Sequence, residues 1–209
     1  MAAVRKTRLE IGEPAMVMGC GLLGQIAVKE LRAAGAVPII AADPVEERRK
    51  LALASGADYA LDPLQPDFAE KARRLTGGGA KAVIEVTGVG AGLDEALDAT
   101  ARFGRVALLG CTRNKEFTID YYRKVHCPGI TLIGAHTDAR SELESRPGMF
   151  TTRGDIKTMI SLLETGRLSF DSFPREEYEP SRCAEAYQRL INDRNFPFLT
   201  QFNWSRMET

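Results

Sequence analysis

The stretch Val17-Met18-Gly19-Cys20-Gly21-Leu22-Leu23-Gly24-Gln25-Ile26 decides how this chain is read. The apolar residues at 16–18 form the end of a buried strand, and the glycines that follow stand at the G-x-G-x-x-G spacing. Leu22, Leu23, Ile26, Ala27, Leu31 and Ala33/Ala34 then recur at helical spacing until Gly35 stops the run. Each glycine has its own mechanical task. Gly19 permits the tight turn out of the strand, Gly21 lets backbone approach a pyrophosphate with no Cβ in the way, and Gly24 lets the helix pack close to the sheet. An anionic ligand would sit over the unpaired N–H groups of the helix N-terminus. A lone match to this spacing also occurs in ordinary turns, so the rest of the chain has to decide.

The second decisive residue is Asp43. Ala36-Val37-Pro38-Ile39-Ile40-Ala41-Ala42 reads as a second buried parallel strand, apolar on both faces, and Asp43 stands at its end. An acid there can accept hydrogen bonds from a ribose diol and would repel a 2′-phosphate, which favours NAD over NADP. The competing reading is a helix cap, because Asp43-Pro44 opens a segment in which Glu46 and Glu47 precede Arg48, Arg49 and Lys50. Arg48 is open between a place along the adenosine ribose and a solvated surface.

Alternation continues down the chain. Strands are expected at 57–61, 81–86, 104–110 and 130–134, with helices at 67–75 and 93–101 between them. The fold class is therefore α/β: a doubly wound parallel sheet of about six strands, with helices on both faces. Three strands end in glycine-bearing turns, at 19–24, 87–88 and 110, and these should line one crevice at the strands' carboxyl ends. Residues 1–13 read as a polar lead-in. Beyond 137 the pattern changes to a polar loop, a helix over 155–165 stopped by Gly166, a helix N-capped by Ser181, and a closing strand over 196–202.

Composition narrows the function classes. Apolar content of 44% and charged content of 27% are ordinary for a soluble globular protein. Lys and Arg total 28 and so do Asp and Glu, a balance in which nothing favours nucleic acid or an anionic membrane as a partner. No apolar run is long enough to span a membrane and the N-terminus has no signal-peptide segment, so a cytoplasmic location is expected. Cys20, Cys111, Cys127 and Cys183 lack metal-ligand spacing and read as reduced thiols. His126 and His136 are too few for a zinc site.

Together these residues resemble the nucleotide-binding (Rossmann) half of zinc-type alcohol dehydrogenases, in the medium-chain dehydrogenase/reductase superfamily. The resemblance runs from about residue 9 to residue 204 and rests on several segments. They are Gly12-Glu13, the glycine turn, Asp43, Ser55-Gly56-Ala57-Asp58, Ile84-Glu85-Val86-Thr87-Gly88 and Gly104-Arg105-Val106-Ala107-Leu108-Leu109-Gly110. It implies that the amides of Leu22 and Leu23 meet the pyrophosphate and that Asp43 holds the adenosine ribose, with Pro44 and Arg48 on the adenine side. Thr87 and Gly88 would lie under the cofactor's middle, while Leu109, Gly110 and Cys111, with Ile133 and Gly134, would approach the nicotinamide. Packing at strand ends is the competing reading for Thr87, Leu109 and Ile133.

The family's zinc belongs to an N-terminal catalytic domain marked by a Gly-His-Glu segment, which this sequence lacks. The chain is therefore expected to bind NAD without catalysing, as an excised domain or a truncated gene product, with residues 1–166 as the cofactor domain. Residues 167–209 would fold back onto the catalytic domain in the family. Here they are expected to be mobile, rearranged or covered by another copy of the chain. The resemblance also implies a homodimer through the edge strand Ile130-Thr131-Leu132-Ile133. Against an alcohol or polyol dehydrogenase stand three alternatives: a free-standing NAD-binding regulatory module, the cofactor half of a zinc-independent NADP-linked quinone reductase, and a methyltransferase. Asp43 disfavours the second and the glycine spacing the third.

Overall fold

The structure, a computed structural model, describes residues 1–206 except 113, 115, 194, 195 and 198. It divides into two units, Met1–Leu168 and Ser169–Thr209.

The first unit is built on β1 (Ala15–Met18), β2 (Ile39–Ala42), β3 (Tyr59–Leu61), β4 (Ala80–Glu85), β5 (Thr100–Leu108) and β6 (Thr131–Gly134). All pairings are parallel, and the order is β3-β2-β1-β4-β5-β6, the arrangement of the Rossmann fold. The central strands are short runs of Ala, Ile, Val and Met buried on both sides, because helices cover both faces. Alternate residues divide between the faces. Ala15, Val17, Ile39, Ala41 and Ile84 meet α1 (Ala2–Lys6), α2 (Leu22–Ala33) and α3 (Glu46–Ala54). Met16, Met18, Ile40, Ala42 and Val83 meet α4 (Phe68–Leu75) and α5 (Gly90–Ala99). The doubly wound sheet expected from the alternation is thus present.

Several boundaries differ from expectation for identifiable reasons. Residues 1–13 contain α1, which buries Ala3 and Val4 on the sheet. Its partner is distant in sequence: Arg5 donates to Asp155 Oδ1 at 2.9 Å and to Thr158 Oγ1 at 2.7 Å, both on α6 (Thr152–Glu164). β2 starts at Ile39 rather than 36, consistent with Pro38 having no N–H to give the ladder. α5 begins three residues earlier than expected, at Gly90, and α6 begins at Thr152 because Thr151 Oγ1 accepts the Gly154 N–H at 3.0 Å. A π-helix, Tyr122–His126, precedes β6.

The second unit pairs β7 (Glu176–Tyr178) in parallel with β8 (Thr200–Phe202). Ser181 is not an N-cap: Pro180–Arg182 is a 3₁₀ turn, and α7 (Cys183–Asn192) starts after it. β7 was not expected at all, since Glu-Glu-Tyr carries no apolar alternation. The closing strand is shorter than expected, and Phe198, part of that expected strand, lies outside the described residues.

Candidate functional site

The carboxyl ends of β1 to β4 open on one cavity of about 800 Å³, within the range of ligand sites. The glycine turn forms its floor. Gly19 has φ +96°, a left-handed conformation that favours glycine, and its N–H donates to the Ala42 carbonyl at 2.8 Å. A Cβ on Gly24 would stand 1.9 Å from the Gly19 carbonyl oxygen, so α2 can begin directly on the turn only with glycine there. A Cβ on Gly21 would meet nothing within 4 Å; the space over it belongs to the cavity. Gly21 is also the N-cap of α2 and has no side chain to cap the first-turn N–H groups. The positive end of a 12-residue helix therefore faces the cavity at Leu22 and Leu23.

Asp43 closes the β2 side. It is 2% exposed. Its Oδ2 accepts the Cys20 N–H and its Oδ1 the Val45 N–H, both at 2.8 Å. The N-cap of α3 is Val45, so capping in the strict sense is not what Asp43 does. Arg48 Nη1 lies 3.8 Å from Asp43 Oδ2, and the side chain is half exposed where it lines the cavity. Two braces were not foreseen. Buried Gln25 donates to the carbonyls of Cys20 and Arg48 at 3.0 Å each, and Arg49 donates to those of Asp43 at 2.7 Å and Pro44 at 2.9 Å. Gln25 and Glu30 are the two polar side chains on the buried face of α2, which is otherwise apolar. Burial and the nearby Asp43 charge push the Cys20 thiol up to about 12.

Thr87 lines the cavity from the end of β4, and buried Glu85 fixes it there. Glu85 Oε1 accepts the Thr87 N–H at 2.7 Å and the Thr87 hydroxyl, while the Glu85 carbonyl accepts the N–H groups of Leu109 and Gly110 at 2.9 Å each. The adjoining glycines are demanded by backbone crowding. A Cβ on Gly110 would lie 2.2 Å from the Gly88 nitrogen, and one on Gly88 2.7 Å from the Cys111 carbonyl oxygen.

The structure thus gathers Gly19, Gly21, Leu22, Leu23, Asp43, Pro44, Arg48 and Thr87 around one cavity, with Gly24 and Gly88 as its packing supports. Leu109 and Cys111 border a second cavity of about 250 Å³ with Ala135 and His136, and Leu23 lines both. Ile133 lies elsewhere, beside Arg105, and the Gly134 carbonyl accepts Lys6 Nζ at 2.7 Å. Sequence reasoning missed the turn Pro63-Leu64-Gln65-Pro66 after β3 and the first turns of α5 (Val89, Ala91, Gly92 and Glu95), which complete the first cavity. The proline-bounded turn at a strand's carboxyl end was the available signal for the former.

These residues fit a dinucleotide: an uncapped helix N-terminus for phosphate, a buried acid for a diol, and apolar walls from Pro44, Pro63 and Val89 for a base. Among the described residues no group of three or more His, Cys, Asp or Glu is placed to hold a metal ion.

The sequence matches the family model described as zinc-binding dehydrogenase over residues 23–162. The chain belongs to that family. It is 30% identical over 181 residues to an L-threonine 3-dehydrogenase of Pyrococcus horikoshii, covering 86% of this chain and 48% of that one. It is 35% identical over 193 residues to a D-guloside 3-dehydrogenase of Escherichia coli, covering 92% and 55%. Among solved structures it is similar in fold to a short chain alcohol dehydrogenase of Escherichia coli complexed with NADH, with a TM-score of 0.74 and 18% identity over 94% of this chain and 54% of the other. The chain spans about half the length of the curated relatives it matches. That half is the dinucleotide-binding one.

Proposed function

We propose that these 209 residues are the NAD-binding part of an alcohol or polyol dehydrogenase. The observation that carries this reading is Asp43: a buried carboxylate at the end of β2, anchored to the glycine turn and lining the cavity. A carboxylate there accepts ribose hydroxyls and repels a 2′-phosphate, which is the basis for NAD rather than NADP.

In this assignment the first-turn amides of α2 at Leu22 and Leu23 hold the pyrophosphate and Asp43 the adenosine ribose. Pro44 and Arg48 flank the adenine side. Thr87 and Gly88 lie under the middle of the cofactor, and Leu109, Gly110, Cys111, Ile133 and Gly134 form the nicotinamide end. The sharing of Leu23 by the two cavities supports a ligand that crosses the start of α2. Bound NAD supplies a hydride acceptor; the chain's own residues orient it and shield it from water. A zinc ion would be held by residues outside the 209, in keeping with relatives about twice as long. The cofactor domain ends near residue 166, and residues 167–209 meet a substrate domain.

A homodimer through β6 is part of the proposal, because β6 is the sheet edge and Thr131 and Leu132 are exposed on it. A cytoplasmic location fits the four free thiols. The test is a calorimetric titration with NADH of the natural sequence and of Asp43→Ser. Weakening of at least about tenfold in the variant is expected, since a hydrogen-bonded charge contributes that much. Equal affinity would overturn the ribose assignment.

A further inference from the structure

Three charged side chains line the larger cavity, Asp43, Arg48 and Glu95, and they are not alike. Asp43 and Arg48 stand 3.8 Å apart, and both oxygens of Asp43 accept backbone N–H groups. Glu95, half-buried on α5, has neither a hydrogen bond nor an ion pair among the described residues. Lys124, whose positive charge acts on Glu95, is committed to Asp94 and Asp98 at 2.7 Å each. Burial, and then the negative charge of Asp98, push the Glu95 carboxyl up, against the pull of Lys124.

A half-buried carboxylate loses water when a ligand fills the cavity beside it, and a ligand that brings a donor to it offsets that loss. The parts of a dinucleotide can be sorted by this requirement. Phosphate is excluded because like charges repel. The adenosine ribose diol is claimed by Asp43 on the β2 side. The nicotinamide and its ribose, which also carry donors, are assigned to the end marked by Leu109 and Cys111, on the other cavity. What remains is the adenine base, whose flat faces suit the apolar walls given by Val89, Pro63 and Pro66. A 9-substituted adenine has one N–H donor group, its 6-amino group.

We propose that Glu95 reads the adenine of the bound cofactor by accepting a hydrogen bond from the 6-amino group, which makes it a specificity-determining residue of the site. This rests on the cofactor assignment above, and the experiment separates the two. The 209-residue chain is titrated by NMR with AMP, with purine riboside 5′-monophosphate (which lacks the 6-amino group) and with NADH. AMP is expected to bind about tenfold more tightly than the purine nucleotide, as for a hydrogen bond to a charged group. Glu95→Ala should lose that preference by weakening AMP alone, and should melt no lower than the natural sequence, because an unpaired carboxylate has been removed. Glu95→Gln, whose amide oxygen still accepts, should keep part of the preference.

Equal binding of the two nucleotides to the natural sequence, or a preference that survives Glu95→Ala, would overturn the role of Glu95 and leave the cofactor site standing. A lower melting point with both affinities falling together would overturn it as well, since that marks a structural role. Failure of AMP and NADH alike to bind would overturn the cofactor assignment and this inference with it.

Discussion

The Asp43 carboxylate accepts the backbone N–H of Cys20, the second residue of the glycine turn, at 2.8 Å across the gap between β1 and β2. The acid proposed to hold the ribose therefore also braces the turn proposed to hold the phosphates. Asp43→Asn would turn an amide N–H₂ toward one of the two backbone donors, Cys20 or Val45. It should destabilise the fold by about 1–3 kcal/mol, the cost of a buried donor left unsatisfied. Urea unfolding of the two chains measures it, and an unchanged midpoint would show that the brace is not needed.

The glycines of the turn should separate into one that serves the fold and one that serves the ligand. A Cβ at Gly24 would press on the backbone of Gly19 at 1.9 Å, so Gly24→Ala should cost about 1–3 kcal/mol of stability. A Cβ at Gly21 meets nothing, so Gly21→Ala should melt like the natural sequence while binding NADH more weakly. Thermal melts with and without NADH distinguish the two.

The thiols should differ sharply in reactivity. Cys111, Cys127 and Cys183 are exposed, while Cys20 is buried with its pKa pushed up to about 12. Only the thiolate reacts, and at pH near 8 almost none of Cys20 would be in that form even if reached. Alkylation of the folded chain at that pH should modify the three exposed thiols, and the fourth only after denaturation. Mass spectrometry counts the adducts.

Phe103 sits at φ +59°, 68% exposed, at the irregular start of β5. A left-handed backbone strains a side chain of this kind by about 1–2 kcal/mol, and asparagine tolerates it better. Phe103→Asn should raise stability by about 0.5–1 kcal/mol, less than the full strain because the ring's cover over Gly129 is lost. A lowered melting temperature would mean that this cover matters more than the strain.

What the sequence revealed and what it hid divide along a physical line. The glycine turn, the strand ending at Asp43 and the doubly wound sheet were legible because their causes are local: glycine conformations, apolar runs, and an acid at a fixed distance. α1 was not, since it is held by contacts distant in sequence: Ala3 and Val4 packed on the sheet, and Arg5 bonded to Asp155 across 150 positions. β7 was not, since Glu176–Tyr178 becomes a strand through its pairing with Thr200–Phe202. At the site, Leu22, Leu23, Asp43 and Thr87 follow from their elements. The turn over residues 63–66 and Glu95 reach the cavity only through the way α5 and the β3 turn sit around it. Gly88 and Gly110 carry a different lesson: their spacing looks like a ligand motif, and the backbone crowding between them demands glycine by itself.

The central claim, a dinucleotide site built for NAD by Asp43, is tested most directly by the ratio of NADH to NADPH affinity for the 209-residue chain, measured by calorimetry. A 2′-phosphate beside a buried carboxylate is repelled strongly enough that NADH should bind at least about tenfold more tightly. Equal or tighter binding of NADPH would contradict it.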